Sequence, residues 1–180
     1  MNVSPDRRWG PKRMRGPLFP KDVKTTSAVC PRAKPSLPPQ GSRLQEAFRI
    51  AKRGAGEPVP AQDASRVGEM RAKTAQSLAD WGLEHLTDDV LLVVSEMVTN
   101  SVVHSHGTQV WLRMDVRGGY LHIEVQDEMP GHAVIRVPTE EAEAGRGLQL
   151  VRAIAMEHHG AWGTKDGGAT TWCKLKAGPQ

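Results

Sequence analysis

Three polar side chains recur at four-residue intervals in an otherwise apolar stretch, "LLVVSEMVTNSVVHSHG" at residues 91–107. They are Glu96, Asn100 and His104. Four helical residues turn the chain by only ~40° beyond a full turn, so these side chains form one narrow stripe. A carboxylate and an amide oxygen one turn apart can face a Mg²⁺ ion and its waters. The stripe is therefore a candidate metal or catalytic site.

A purely structural explanation of the same stripe stays open. A buried carboxylate needs a partner, because an unpaired buried charge is costly. Glu96 could pair with Arg113 or Arg146, and Asn100 could bond to backbone groups. For His104, packing or polar filling is the simpler explanation, and it receives no role.

Two further features carry potential chemistry. Asp127 ends the apolar row of a predicted strand, where it could accept hydrogen bonds from a ligand's amino group or cap a turn. Gly145 and Gly147 precede a predicted helix, where free backbone N–H groups could hold phosphates. The alternative is an ordinary pair of loop glycines.

Several common sites are absent from the sequence. No Ser/His/Asp triad, phosphate-binding P-loop or Rossmann glycine motif is present. Five histidines do not form a credible metal-binding set: His104, His106, His132, His158 and His159. The two cysteines, Cys30 and Cys173, are far apart and give no disulfide framework, so we expect a reducing, cytoplasmic setting.

Three helices and two hairpins must position these residues. The periodicity predicts a helix capped by Asp63 or Ser65 and stopped at Gly82, and a second helix over about 88–105 with Thr87 as its cap. The alternating strands join at Gly118-Gly119, and a long loop over 128–144 follows. The remaining predicted elements are a helix with Leu148, Val151, Ile154 and Ala155 on one face and two strands around 165–168. This order indicates an α+β fold.

The N-terminal part differs sharply from the rest. Residues 1–60 hold 13 Lys/Arg, 4 Asp/Glu and ten of the 13 prolines, a balance of 13 − 4 = +9. We expect residues 1–42 to be a disordered tail, and residues 43–57 a linker or docking segment, either a short strand or a helical turn. The tail is either a solvated extension or a weak, salt-dependent contact for nucleic acid. No apolar run is long enough to span a membrane.

The order of the features resembles the GHKL (Bergerat-fold) ATP-binding superfamily, in particular the small bacterial anti-sigma factor serine kinases. Glu-x-x-x-Asn on an apolar helix comes first, then a strand ending in Asp, a loop, G-x-G at a helix start and a strand with Thr-Thr. The likeness covers residues 58–176, and "WGLEHLTDDVLLVVSEMVTNSVVHS" is its most specific part. It implies a two-layer α/β sandwich with helices on one face of a mixed, mostly antiparallel sheet.

The resemblance also implies roles for single residues. Glu96 matches the glutamate that activates the attacking hydroxyl, and Asn100 the asparagine that ligates Mg²⁺. Asp127 matches the aspartate that bonds the adenine amino group. The other implied nucleotide-binding residues are Gly131, the lid over 128–144, its anchor at Gly145, Arg146, Gly147 and Leu148, and Thr170, beside which Thr171 is an alternative.

The family's D-x-G-x-G motif reads "DEMPG" here, so Met129 replaces the first glycine. The resemblance implies a cytoplasmic Mg-ATP-dependent kinase that phosphorylates a serine of an antagonist protein. It also implies a sigma factor as a second client and a homodimer. A non-catalytic, nucleotide-dependent binding module is the alternative, which Met129 favours and the intact Glu96 and Asn100 oppose.

Overall fold

The computed structural model describes residues 41–54, 56–105, 107–128 and 146–178, and these form an α+β fold of two layers. The strands are β1 (Arg43–Arg49), β2 (Gln109–Arg117), β3 (Tyr120–Asp127), β4 (Ala161–Lys165) and β5 (Thr170–Lys176). The helices are α1 (Ala61–Asp80), α2 (Thr87–His104) and α3 (Arg146–Glu157). The predicted α+β class is confirmed.

The five strands form one sheet in the order β1-β2-β3-β5-β4. Every pair of neighbouring strands among these five is antiparallel, where the sequence predicted a mixed, mostly antiparallel sheet. The predicted Gly118-Gly119 turn joins β2 to β3, and both glycines have positive φ, 59° and 79°, as a two-residue hairpin turn requires.

The alternation in β2 and β3 separates a buried face from a half-exposed one. Side chains at even positions of β2 and odd positions of β3 are buried under the helices. Six α2 residues complete this core: Val90, Val93, Val94, Met97, Val98 and Val102, each at most 2% exposed. The apolar character of α2 is thus explained by its position over the centre of the sheet.

The segment over residues 43–57, predicted as a linker or docking segment, is in part an edge strand of this sheet. Arg43 to Arg49 pair along their whole length with β2, so the strand alternative is confirmed. The backbone oxygen of Ser42 also accepts a hydrogen bond from Val116, at 3.2 Å. The sheet therefore extends N-terminally beyond residue 58. Of the predicted tail over 1–42, only residues 41 and 42 are among those described.

Both predicted helix caps were wrong. The N-cap of α1 is Pro60, and Asp63 lies in the first turn, where its buried carboxylate accepts the N–H of Ala51 at 2.9 Å. A short 3-10 turn leads directly into α2, so Leu86 occupies the cap position and Thr87 is already helical. In both cases the preceding backbone fixes the helix start without a side-chain cap.

Two backbone hydrogen bonds close the end of α1. After α1, the N–H groups of Gly82 and Leu83 bond back to Ala79 and Leu78, and Gly82 has a φ of 70°. This is a Schellman motif, and it confirms the predicted stop at Gly82.

No helix in the described part of the chain is long and apolar enough to cross a membrane.

Candidate functional site

The carboxylate of Glu96 lies directly against the backbone of Gly147. A Cβ built at Gly147 would overlap Oε2 of Glu96 and lie 3.2 Å from its Cδ. Glu96 is half-buried on α2, and Gly147 belongs to the first described turn of α3. The fold thus brings together two residues that the sequence assigned to one site, 51 positions apart.

The side chains of Glu96 and Asn100 have no hydrogen-bonding partner among the residues described. The ion pair of Glu96 with Arg113 that the sequence left open is wrong, because Arg113 lies on the opposite face of the sheet and donates to Oε1 of Gln126 at 2.8 Å. Arg146 is exposed and forms no ion pair within the described ranges. The oxygens of Glu96 and Asn100, roughly 6 Å apart along the helix axis, are left available to a ligand.

Asp127 is buried at the end of β3 and faces the helical layer, as the alternation predicted. Only 8% of it is exposed, and its N–H donates to the Ala169 oxygen at 2.9 Å. Asp127 pairs with Val110, which follows the end of α2 by six residues. The Asp127 carboxylate therefore lies at the end of the sheet that is nearest the C-terminal end of α2. Asn100 lies on α2 just before that end. The turn-capping alternative for Asp127 stays a prediction.

Glu128 was not identified from the sequence, yet it fixes this end of the sheet. Its Oε2 accepts the N–H of Thr108 at 2.6 Å and the Thr108 hydroxyl at 3.0 Å. These bonds lower the pKa of Glu128 below its usual value. A Cβ at Gly107 would come within 2.9 Å of Glu128, so the turn after α2 requires a glycine here. An acidic residue directly after the strand-terminal Asp127 was the available signal.

The two threonines of β5 face opposite sides of the sheet. Thr170 is opposite Gln126, and its hydroxyl donates to Oδ2 of Asp166 at 2.8 Å. Thr171 is opposite Val125 and shares the helix-covered face with Asp127. The register thus makes Thr171 the threonine on the Asp127 side, while the role assigned to Thr170 remains a prediction.

The predicted lid is mostly outside the described residues. Gly131, Gly145 and Met129 belong to that part, so their assigned roles stay predictions. On the described side, Leu148 is buried in the first turn of α3. Arg146 is exposed, so its guanidinium is accessible to an anionic ligand.

A second contact joins α2 to α3 at the other end. Nε2 of His158 donates to Oδ2 of Asp89 at 2.7 Å, and the His158 oxygen accepts the N–H of Lys176 at 3.0 Å. Glu96 contacts the start of α3, whereas Asp89, near the N-terminal end of α2, contacts His158 just after α3 ends. The two helices therefore run antiparallel. The sequence indicated Asp89 only as a first-turn acid and did not identify this contact.

Four of these positions form a line that follows α2. From the sheet end to α3 they are Asp127, Asn100, Glu96 and Gly147. A buried carboxylate at one end suits an amino group that donates hydrogen bonds. Two oxygens and accessible backbone at the other end suit a hydrated cation with phosphates. In the described part of the chain, no group of three or more His, Cys, Asp or Glu side chains could hold a metal ion alone.

Comparison with known proteins gives one family and one structural likeness. A family model described as the histidine kinase-like ATPase domain matches residues 59–174. Among solved structures, the Acinetobacter baumannii histidine kinase AdeS matches with a TM-score of 0.42 and 16% identity. That match covers 74% of this chain and 68% of that one. No curated protein matches the chain significantly.

Proposed function

The chain belongs to the histidine kinase-like ATPase domain family, and from this premise we propose that it is a Mg-ATP-dependent protein kinase that phosphorylates a serine of a partner protein. The observation that carries the proposal is the contact of Glu96 with Gly147. It brings a carboxylate that has no partner among the described residues beside the predicted phosphate-binding turn. Family membership supports ATP binding, and the serine specificity is our inference from the anti-sigma kinase motifs.

The residues present fit Mg-ATP. Asp127 would accept the adenine amino group, since it is buried at the end of the line that Glu96 and Asn100 continue. The amide oxygen of Asn100 would hold Mg²⁺, which neutralises phosphate charge when it is bound with ATP. Because Gly147 has no side chain, the Glu96 carboxylate can lie against the start of α3, where backbone N–H groups would bind the phosphates.

The chain's own contribution to transfer would be positioning and one proton transfer. The serine oxygen bonds to the γ-phosphorus as the bond from phosphorus to the bridging oxygen of ADP breaks. Glu96 takes the hydroxyl proton as that bond forms, and Arg146 is exposed on the side where the phosphates would lie. Positioning and charge neutralisation supply most of the catalysis in reactions of this class.

Substitutions at both ends of the line test the proposal. Isothermal calorimetry with ATP, with and without Mg²⁺, should show Mg²⁺-dependent binding that Asp127→Asn weakens at least about tenfold through the loss of charged hydrogen bonds. Glu96→Gln should retain binding and lose transfer of labelled γ-phosphate by about 100-fold or more. Glu84→Gln, an exposed carboxylate outside the line, is the matched control for charge. Absence of ATP binding by the unmodified chain would refute the proposal.

The partner is the least constrained part of the proposal. We propose an antagonist protein as the phosphorylated substrate, a sigma factor as a second client and a second copy of the chain as a dimer partner, all in the cytoplasm. The support is the anti-sigma kinase resemblance of residues 81–105. Labelled phosphate should appear on a serine of an antagonist encoded beside this chain's gene, and labelling of a histidine instead would overturn the serine assignment.

A second candidate rests on Met129. A side chain at the first glycine of the adenine motif favours a non-catalytic module in which ATP only sets the shape of a partner surface. That module would bind ATP without transferring phosphate, and Glu96→Gln would leave partner binding unchanged. Met129→Gly is the informative variant, since it should strengthen ATP binding in either case and raise transfer only in a kinase.

A further inference from the structure

A cavity lies on the face of the sheet that the helices do not cover. Its volume is about 270 Å³. Its walls come from all of the strands β2 to β5: Arg117, His122, Ile123, Glu124, Lys165, Trp172, Cys173 and Lys174. The side chains that alternate outward at these positions point away from Asp127, so this cavity is separate from the line described above.

The cavity carries an excess of positive charge. Lys165 is neutralised by Glu124, at 3.0 Å from Nζ to Oε1. Lys174 has no carboxylate within 4.0 Å among the described residues, and its ammonium lies over the ring of Tyr120, 5.1 Å from the centroid. One cation in the wall is thus not balanced by a counter-charge, a feature that favours an anionic ligand.

Arg117 and His122 add two more polar groups beside Lys174. Nη2 of Arg117 lies 3.4 Å from Nδ1 of His122, and its Nε lies 3.4 Å from Oδ1 of Asp115. A guanidinium can only donate, so Nδ1 accepts and the neutral ring carries its proton on Nε2. His122 therefore retains a donor that the Arg117 contact does not use.

The electrostatic surroundings of His122 point in the same direction. Burial first, and then Arg117, lower the pKa of the imidazole below 6.5, and Lys174 lowers it further. Asp115 and Glu124 act in the opposite sense and do not overcome these effects. Burial is the main cause, and among the charges the two cations outweigh the two carboxylates, so a bound anion would favour the charged imidazole.

Trp172 supplies an apolar wall beside these cations. It faces outward between Glu124 on β3 and Gly163 on β4. A Cβ at Gly163 would come within 2.9 Å of Cζ2 of the indole, so the ring lies flat against β4 where only a glycine leaves room. The indole is held in place by its neighbours, and a flat ligand can stack on it without ordering it first.

We propose that this cavity binds a small aromatic anion, with its phosphate or carboxylate held by Arg117, His122 and Lys174 and its ring against Trp172. The proposal does not depend on the proposed kinase activity, because the cavity is on the other face of the sheet from Glu96, Asn100 and Asp127.

The test follows the Cε1–H resonance of His122 in the full chain during titration with phenyl phosphate, benzoate and inorganic phosphate. Phenyl phosphate should give a saturable shift and raise the His122 pKa, because an anion stabilises the imidazolium. Benzoate carries a carboxylate in place of the phosphate. Whichever of benzoate and phenyl phosphate binds with the lower Kd identifies the anionic group that the cavity prefers. Inorganic phosphate should bind at least about tenfold more weakly than phenyl phosphate, since it lacks the ring.

Substitutions assign the binding to this cavity. Lys174→Gln and Arg117→Gln should each weaken the binding of phenyl phosphate at least about tenfold. Trp172→Ala should reduce the affinity for phenyl phosphate to that for inorganic phosphate. Lys52→Gln removes the same charge from an exposed position outside the cavity and should change nothing. An equal loss in Lys52→Gln, competition by saturating Mg-ATP, or no saturable shift would each overturn the proposal.

Discussion

Gly147 and Glu96 touch backbone to carboxylate, with no space for a side chain between them. This half-buried carboxylate on the central helix has no arginine partner among the described residues. Gly147 keeps the carboxylate close to α3, and the surrounding oxygens are left for a ligand. The pair is therefore the most direct point at which to test the site without changing a charge.

Gly147→Ala should impair phosphoryl transfer while leaving the protein at least as stable. The new methyl group displaces the Glu96 carboxylate, and a displacement near 1 Å costs about 100-fold in rate. Alanine also raises helix stability by up to about 1 kcal/mol. Gly68→Ala is the matched control, since a Cβ there meets nothing within 4 Å. Urea unfolding and a phosphotransfer assay measure the two effects; unaltered transfer in Gly147→Ala would contradict the assignment.

The hydrogen bond between Asp89 and His158 should stabilise the fold by about 1–2 kcal/mol. Asp89→Asn and His158→Gln should each lower the free energy of unfolding, and their effects should not add, because both remove the same bond. Urea denaturation of the double-mutant cycle measures the coupling. Asp88→Asn, an exposed carboxylate in the same first helical turn, controls for the helix dipole. Additive effects would show that the two side chains are not coupled.

Glu128 should make stability depend on pH in the acid range. Its pKa is lowered from 4.5 in the folded protein by the two Thr108 donors. The group therefore contributes stability that is fully present above pH 4.5 and is lost as the pH falls through the lowered pKa. The difference in Tm between the unmodified chain and Glu128→Gln should be largest near neutral pH and shrink toward pH 3. A difference independent of pH would argue against the Thr108 bonds.

Cys173 should be unreactive in the folded protein. Burial raises the pKa of its thiol to about 12, so almost no thiolate exists at pH 8. In a Cys30→Ser background, which leaves a single thiol, a disulfide reagent should react slowly under native conditions and quickly in denaturant. Fast native labelling would mean that β5 opens readily at this position.

The sequence predicted most of the architecture because its periodicities are long and clear. The alternation around Gly118-Gly119 and the apolar stripe of α3 translate directly into a buried face. The neighbourhood of Glu96 and Gly147 was predicted only through the order of motifs, and geometry confirms that the two meet. Asp127 was correctly placed on the buried face by strand phase alone.

The failures concern residues whose partners are remote in sequence. Asp63 and Thr87 looked like caps, but capping depends on the preceding backbone, here Pro60 and a 3-10 turn. The bond from Thr108 to Glu128 spans 20 residues, and that from Asp89 to His158 spans 69. Such contacts exist only once the chain has folded, so a local pattern can mark one of the residues but does not identify its partner. Likewise, only the register of β5 distinguishes Thr171 from Thr170.

The contacts that the two ends of α3 make with polar side chains of α2 differ in kind. At its C-terminal end the His158 side chain bonds to Asp89, and the His158 backbone bonds to Ile154 and Lys176. At its other end the contact with Glu96 is steric, with no hydrogen bond among the described residues. The end of α3 at His158 is therefore held by directional hydrogen bonds, and the turn at Gly147 by packing alone within the described residues. A ligand that displaces the Glu96 carboxylate from Gly147 would break no hydrogen bond between the two helices there.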